Sequence, residues 1–292
     1  MANKDSCWQY ALKCLRLNHD SMREYEMQLS DQSVNPEQLV CNGKAASNAS
    51  NGQFIRSALL YGGEGIERLA GRRVAVFGLG GVGGNAVEAL ARSGIGSLDL
   101  IDNDTISISN INRQLFALHS TVGRYKVDVA RDRIRDINPS ASVRTYKCFF
   151  LPETSGQFDF SLYDYVVDAI DTVTGKLEII CKAASCGVPV VSCMGTGNKM
   201  DPSALRVTDL FETQGDPLAR VMRKELKKRG VTSLKVVCSD EKPMAPDPYL
   251  EEICMNELGE GTARRSVPGS TAFVPPAAGL LIAATVVREL LM

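Results

Sequence analysis

The sequence predicts an α/β fold, with helices on both faces of a doubly wound, mostly parallel sheet. Short apolar runs alternate with helical stretches of about ten residues, which is the pattern of successive βαβ units. A glycine-rich turn joins the first apolar run to a helix, and acidic residues follow later runs. Over 292 residues, a hydrophobic content of 44% with 23% charged residues is ordinary for a globular protein with a substantial core.

The predicted elements follow in a regular order. Strands are predicted at residues 74–77, 98–101, 143–149, 165–170, 188–193, 205–210 and 234–237, and helices at 59–69, 85–92, 126–137, 175–185 and 218–229. The strands after residue 195 predict a C-terminal extension of the sheet. The apolar run 277–287, with Pro275 and Pro276 before it, predicts a buried C-terminal helix that packs on the sheet or on a second subunit. Its eleven residues are well short of the roughly 20 of a membrane span, so we expect no membrane association.

Residues 1–52 differ from the rest of the chain. The stretch 41–52 (CNGKAASNASNG) is small and polar, as flexible linkers are. Residues 8–29 have helical spacing, but we infer no function for them. We therefore expect a poorly ordered or loosely attached extension over 1–52 and one domain over 53–292.

Charge and cysteine content narrow the class of protein. The net charge of −1 gives no overall field for nucleic acid, so DNA is not an expected partner and any RNA would need a local patch. The nine cysteines contain no CxxC pair, which argues against a structural zinc site. Unpaired cysteines without a signal peptide favour a reducing, cytoplasmic location.

The glycine turn GLGGVG is the first binding motif. Gly78, Gly80, Gly81 and Gly83 follow an apolar strand and open a helix, as in Rossmann-like nucleotide sites. Such glycines let the backbone approach a phosphate, and N–H groups at the helix start bind its charge. Alone, the motif fits NAD, FAD or ATP.

Charged residues beyond the turn favour ATP. Asp102 ends the second apolar run, where an acid commonly holds a ribose hydroxyl, and Asp104 follows two positions later. Arg113 and Lys126 are groups that neutralise a triphosphate during transfer. Asp171 follows another apolar run and is predicted to bind Mg²⁺. The alternative is that Arg113 and Lys126 are solvated surface charges.

Several segments resemble a known family. GLGGVG, IDNDTISISNINRQ, VGRYKV and DAIDT are similar to the signature of the ubiquitin-activating-enzyme-like (E1-like) adenylyltransferases. Within that superfamily, SCMGTGNKMDPSALRVTDLFETQGDPLARVMRKELKKRG and STAFVPPAAGLLIAATVVRELL resemble the tRNA threonylcarbamoyladenosine dehydratases. The resemblance covers the chain from Phe54 to the C-terminus.

The resemblance implies a reaction and a set of roles. It implies that ATP adenylates the carboxylate of N6-threonylcarbamoyladenosine at tRNA position 37, and that a cyclic product forms with release of AMP and pyrophosphate. Asn110 would fix a loop or a phosphate oxygen. Arg56 would reach into the nucleotide site of a partner in a homodimer, although Gln53 replaces the first arginine of the family's pattern.

Two further features leave alternatives open. Six basic residues within ten positions predict an RNA-binding face or an ordinary exposed helix: Arg220, Arg223, Lys224, Lys227, Lys228 and Arg229. Cys238 could face the site and act as a thiol, although most buried cysteines are only small apolar residues.

Two other functions compete with the dehydratase. A sulfur-carrier or ubiquitin-like protein adenylyltransferase would share every nucleotide residue, and a sulfur-transfer protein would be a conceivable partner. The missing CxxC pairs and the basic helix argue against it. An NAD-dependent oxidoreductase or a non-catalytic nucleotide-binding scaffold would have no use for Arg113 and Lys126.

Overall fold

A seven-stranded sheet forms the centre of the computed structural model, which describes residues 52–257 and 268–292. Within that range the strands are β1 (Arg73–Phe77), β2 (Ser97–Ile101), β3 (Ser142–Tyr146), β4 (Tyr165–Asp168), β5 (Val190–Cys193), β6 (Leu205–Asp209) and β7 (Lys235–Ser239). Their order is β3-β2-β1-β4-β5-β7-β6. All neighbours are parallel except β6 and β7, which pair antiparallel. The predicted fold class and the C-terminal extension of the sheet are confirmed.

Helices lie on both faces of this sheet. Those in the described residues are α1 (Ile55–Ala70), α2 (Gly83–Arg92), α3 (Lys126–Ile137), α4 (Val173–Ser185), α5 (Pro217–Lys228), α6 (Pro248–Glu257) and α7 (Val274–Leu291). The sequence did not predict α6. The predictions for residues 1–51 lie outside the described residues, so the loosely attached extension stays a prediction.

Side-chain alternation along the strands divides the core into two layers. Val74 and Val76 of β1 pack with apolar residues of α2, α3 and α7. Ala75 and Phe77 face the other layer, where α4 and a group of aromatic rings cover the sheet. Because successive side chains of a strand point to opposite faces, one apolar run supplies both layers.

Two strands end two or three residues earlier than predicted. The last hydrogen bond of β3 to its neighbour runs from the Asp102 N–H to the Tyr146 carbonyl, at 3.1 Å. Residues 147–149 therefore leave the sheet, and so do Ala169 and Ile170 after β4. Most of these residues are apolar and continue the sequence pattern of a strand, but they lie in loops at the carboxyl edge of the sheet.

The C-terminal helix α7 is longer than the apolar run that predicted it. It has 18 residues and, by length and composition, could cross a membrane, so the expectation that no segment qualifies was wrong. However, 56% of the helix is buried within the fold. A Cβ at Gly279 would overlap the carbonyl oxygen of Val82, which shows how closely α7 packs against the start of α2. That packing is typical of a core helix.

Candidate nucleotide site

A cavity of about 440 Å³ opens at the carboxyl ends of β1, β2, β4 and β5. The chain order of the strands reverses between β1 and β4, and open α/β sheets bind ligands at such a switch point. Nine residues predicted from the sequence line it: Gly78, Gly80, Gly81, Asp102, Asp104, Asn110, Arg113, Lys126 and Asp171. Gly83, Arg56, Cys238 and the basic residues of α5 do not.

The glycines have two different tasks. Gly78 has a φ of +87°, and a Cβ there would lie 2.6 Å from the Ala169 carbonyl oxygen, so only glycine fits. Gly80 and Gly81 face the cavity. Gly83 is buried at the start of α2, and a Cβ on it would overlap the Gly78 carbonyl oxygen. Gly83 does not line the cavity and lets the helix pack on the turn, so its assignment to the nucleotide site stays a prediction.

Asp102 connects the glycine turn to the loop after β2. Its Oδ2 accepts a hydrogen bond from the Leu79 N–H at 2.7 Å, and its Oδ1 accepts one from the Asp104 N–H at 2.8 Å. Burial raises the pKa of this carboxyl, and the nearby Lys126 opposes the rise. Each carboxylate oxygen has a second lone pair, so the group can also accept a ribose hydroxyl.

Lys126 is a buried cation at the first position of α3. Its side chain is 6% exposed, and Nζ lies 2.7 Å from Oδ2 of Asp104, whose side chain is 57% exposed. Asp104 therefore accepts a hydrogen bond from the lysine and neutralises its charge. A phosphate that enters the cavity would share Lys126 with this carboxylate or displace the carboxylate from it.

The short turn after β2 carries Asn110 and Arg113. Asn110 Oδ1 accepts from the Ser107 N–H at 3.2 Å, so its side chain caps the turn. Arg113 donates from Nη1 to the Ser109 carbonyl at 3.0 Å and to Asn112 Oδ1 at 2.9 Å. These bonds hold the half-buried guanidinium beside the glycine turn.

Asp171 is exposed in the loop after β4 and lines the cavity. Among the described residues, no group of three or more His, Cys, Asp or Glu side chains could hold a metal ion by itself. A single carboxylate fits Mg²⁺ that keeps several waters and binds substrate phosphates, because this ion rarely uses an all-protein cage.

Apolar residues that the sequence did not assign form another wall of the cavity. Cys148, Phe149 and Phe150 follow β3 and line the cavity together with Ile101 and Asp102. Such a wall suits the flat face of a nucleobase. The position of these residues after a strand was a usable signal, but the strand had been predicted to continue through 149.

The cavity has a second part, which we call the β5 half. It is lined by residues 193–197 at the end of β5, Leu218 of α5 and residues 268–270, which we call the strap. The Asn198 N–H donates to the Gly269 carbonyl at 2.8 Å, and Asn198 Oδ1 accepts from the Gly269 N–H at 2.6 Å. Asn112 Nδ2 donates to the Ser270 carbonyl at 3.0 Å. The strap therefore joins the β5 loop to the turn that carries Arg113.

Two buried ion pairs lie next to the cavity. Lys176 Nζ is 3.0 Å from Asp168 Oδ2, and Lys199 Nζ is 3.1 Å from Asp216 Oδ2. All four side chains are at most 1% exposed. Sequence reasoning missed both pairs, although their partners are only 8 and 17 positions apart, because the sequence does not show which lysines and aspartates are buried together.

The cysteines near the site are poor nucleophiles. Cys238 is buried in the core between the sheet and α5 and does not line the cavity, which argues against the catalytic thiol that stays an untested prediction. Cys193 does line it, but burial raises the pKa of its thiol to about 12. Since the thiolate is the reactive form, neither group is set up for thioester chemistry at neutral pH.

The six basic residues of α5 are not equivalent. Arg223 points inward and donates to the carbonyl and hydroxyl oxygens of Thr213, and two more pair with Glu225. Within the part of the chain that the structure describes, the members of this set that are exposed and have no ion-pair partner are Arg220, Lys224 and Lys227. Their spacing of four and three places them on one face of the helix.

Comparison with known proteins places the chain in a family. The model of the ThiF family matches residues 54–291. The chain belongs to the ThiF family. It is 44% identical over 245 residues to the tRNA threonylcarbamoyladenosine dehydratase of Bacillus subtilis, an alignment that covers 82% of this chain and 94% of that protein. This ThiF-family chain is also 28% identical over 232 residues to the Escherichia coli molybdopterin-synthase adenylyltransferase, with coverage of 79% and 86%.

Solved structures of the ThiF-family dehydratase from Escherichia coli, TcdA, have the same fold. The crystal structure in complex with AMP has a TM-score of 0.73 at 34% identity, and it covers 84% of this chain and 96% of that chain. The complex with ATP has the same TM-score and coverage at 33% identity. The resemblance read from the motifs is confirmed.

Proposed function

We propose that this chain is an ATP-dependent dehydratase that adenylates N6-threonylcarbamoyladenosine at position 37 of tRNA and cyclises it. The observation that carries the proposal is the cavity, in which a glycine turn, Asp102, Arg113 and Lys126 converge. They do so in a chain 44% identical to a protein named tRNA threonylcarbamoyladenosine dehydratase. ATP and AMP complexes of TcdA support the nucleotide.

The first step is activation of a carboxylate. An oxygen of the threonyl carboxylate attacks the α-phosphorus of ATP, and the bond to pyrophosphate breaks. Backbone N–H groups of the glycine turn, Arg113 and Lys126 offset the charge that builds on the phosphate oxygens. Asp102 holds the ribose. Asp171 would bind Mg²⁺, which supplies further charge neutralisation on the phosphates.

The second step closes a ring without a protein nucleophile. A nitrogen of the substrate's urea-type group attacks the activated carbonyl carbon, AMP leaves with the former carboxylate oxygen, and the nitrogen loses a proton. The net change is loss of one water. Groups on one side chain can react with effective molarities on the order of 10⁵–10⁸ M, so the absence of a reactive thiol in the cavity is no obstacle.

The two parts of the cavity fit the two reactants. The wall formed by Cys148, Phe149 and Phe150 takes the adenine of ATP. The β5 half takes the threonylcarbamoyl side chain, and the exposed face of Arg220, Lys224 and Lys227 binds the phosphate backbone of the tRNA. Such binding should weaken steeply as salt rises.

A homodimer completes the proposed site. Arg56 is exposed in the first turn of α1 and does not line the cavity of its own chain. Ile55, Leu59 and Leu60 of the same helix are exposed apolar residues. We place this face against a second copy, whose cavity Arg56 enters. We also place the enzyme in the cytoplasm. A sulfur-transfer protein is proposed as a further partner.

Mixing two inactive variants tests the dimer. Arg56→Ala and Lys126→Ala each remove one part of the site. If the parts come from different chains, an equal mixture that exchanges subunits should regain about a quarter of the wild-type sites. No recovery, or only monomer in sedimentation at micromolar concentration with ATP, would contradict the dimer.

Nucleoside mass analysis tests the reaction. Modified tRNA incubated with the protein, ATP and Mg²⁺ should lose one water from its threonylcarbamoyladenosine. Asp171→Ala should slow this loss by at least about a hundredfold. Asp136→Ala, on the exposed side of α3, is the matched control and should retain wild-type rates.

The other candidate is activation of a small carrier protein, which the similarity to the molybdopterin-synthase adenylyltransferase favours. An unchanged nucleoside, together with exchange of pyrophosphate into ATP only when a carrier protein is added, would select that function.

A further inference from the structure

The buried pair Lys199–Asp216 has no part in the nucleotide chemistry described above. Lys199 Nζ donates to the Gly195 carbonyl at 2.7 Å, to Asp216 Oδ2 at 3.1 Å and to the Ser239 carbonyl at 3.4 Å. Gly195 lines the β5 half of the cavity. The lysine thus fixes the backbone at the floor of that half. Burying two charges is costly, so a pair this deep calls for a reason other than stability.

Asp216 also holds the start of α5. Its Oδ1 accepts a hydrogen bond from the Ala219 N–H at 2.9 Å, which makes it the N-cap of the helix. The helix begins at the cavity wall, since Leu218 is part of the β5 half. A Cβ on Gly195 would lie 3.1 Å from Asp216 Oδ2, so cap and cavity floor are in direct contact. One carboxylate therefore connects the helix terminus, Lys199 and the cavity.

The geometry of α5 amplifies any movement at this cap. The exposed face defined by Arg220, Lys224 and Lys227 extends eleven residues beyond Asp216, which is about 16 Å along a helix. A tilt of about 10° at the cap would move the far end by about 3 Å, which is enough to break a contact between an ammonium group and a phosphate.

We propose that Lys199 and Asp216 are positioning residues that fix the angle of α5 relative to the β5 half of the cavity. The phosphates bound by the helix and the threonylcarbamoyl group in the cavity are then held at a fixed distance and orientation relative to one another. Binding of the RNA backbone thereby helps to position the carboxylate for its reaction with ATP. The inference deepens the proposed function, because it takes tRNA as the substrate.

The double variant Lys199→Met/Asp216→Asn tests this without leaving a buried charge. Replacing both partners of a buried pair by neutral groups is often close to neutral for stability. Asparagine caps a helix about as well as aspartate, so α5 keeps its N-cap. The matched control is Arg206→Met/Asp240→Asn, which removes an exposed pair at 2.8 Å from the same end of the sheet.

The expected result is a lower kcat without a change in ATP affinity. ATP affinity should stay within about twofold of wild type, while kcat on modified tRNA falls at least about tenfold. The control should match wild type in both. Wild-type kcat in the double variant, or equal losses of ATP affinity and kcat, would overturn the inference.

A double-mutant cycle tests the connection to the helix face. Replacing Arg220, Lys224 and Lys227 by alanine should lower kcat/KM for tRNA in the wild type. In the double variant the same replacement should affect KM alone, because helix and cavity are already uncoupled. Additive losses within about twofold would overturn the inference. A wild-type protein that leaves the nucleoside unchanged would instead contradict the proposed function, and the two failures are therefore distinguishable.

Discussion

Removing Lys176 should destabilise the fold strongly. Its Nζ donates to Asp168 Oδ2 at 3.0 Å, Ser192 Oγ at 3.3 Å and the Cys193 carbonyl at 2.8 Å. Lys176→Met would leave the fully buried carboxylate of Asp168 without its counter-charge. Breaking a buried pair in this way costs about 3–5 kcal/mol, a large share of the roughly 5–15 kcal/mol that holds a domain together.

The predicted change in melting temperature follows from domain size. For a domain of about 150–250 residues, each kcal/mol shifts Tm by about 2–4 °C, so Lys176→Met should lower Tm by about 6–20 °C. Urea unfolding followed by circular dichroism gives the free energy directly. The double variant Lys176→Met/Asp168→Asn removes both charges and should recover most of the loss.

An exposed pair of similar length is the matched control. Lys228 Nζ lies 2.7 Å from Glu225 Oε1, with side chains 58% and 27% exposed. Lys228→Met should change stability by less than about 0.5 kcal/mol. A loss below about 1 kcal/mol for Lys176→Met, or a double variant as unstable as the single one, would refute the argument from burial.

Three further outcomes are expected. Gly83→Ala should reduce ATP affinity more than tenfold and cost about 1–3 kcal/mol or more, because the new methyl forces α2 away from the glycine turn; nucleotide titration and urea unfolding measure both. Cys193 should resist iodoacetamide in the folded protein at neutral pH, as its pKa of about 12 keeps the thiol protonated, and peptide mass analysis would show it. Burial opposes ionisation of Glu88, but hydrogen bonds from Arg133 and Arg92 outweigh it and hold the pKa of this carboxyl below its ordinary value of 4.5. The charged Glu88 therefore stabilises the fold above pH 4.5, and this contribution is lost as the pH falls through the pKa of the folded state. Glu88→Gln should make the free energy of unfolding less dependent on pH in this acidic range.

The first two of these have an internal comparison. Gly156→Ala has nothing within 4 Å of its new methyl group and should leave ATP affinity unchanged. Cys186 is exposed and should react with iodoacetamide under the conditions that spare Cys193. Inhibition by alkylation of Cys193, or an unchanged acid limb in Glu88→Gln, would contradict the respective reasoning.

Local patterns predicted the nucleotide half of the site. Gly78, Asp102 and Asp171 all follow apolar strands, and the carboxyl ends of parallel strands meet at one edge of the sheet. Chain order and strand spacing were therefore enough to bring them together. At Gly83 the motif shows that glycine is required, but not whether a ligand or the packed helix requires it.

The β5 half could not be predicted in the same way. The strap contributes to the cavity through contacts with Asn198 and Asn112, which are 71 and 158 residues away from their partners in the chain. The pairs Lys176–Asp168 and Lys199–Asp216 join residues only 8 and 17 positions apart, but which charged side chains meet depends on how the helices and loops pack on the sheet. The six basic residues of α5 and its C-cap were reduced to three, since Lys228 and Arg229 pair with Glu225 one turn earlier and Arg223 contacts Thr213, which lies before the helix.

The close packing of α7 against α2 has a consequence for synthesis of the protein. Pro275 of α7 lies beside Gly81 and lines the cavity, and Gly279 packs against Val82 at the start of α2. A ribosome makes the glycine turn almost 200 residues before it makes the helix that supports the turn. Contacts so far apart form slowly. The glycine turn lacks these contacts until α7 has emerged, so the nascent chain should be unable to bind nucleotide before then. A partly made enzyme would neither hold ATP nor act on RNA.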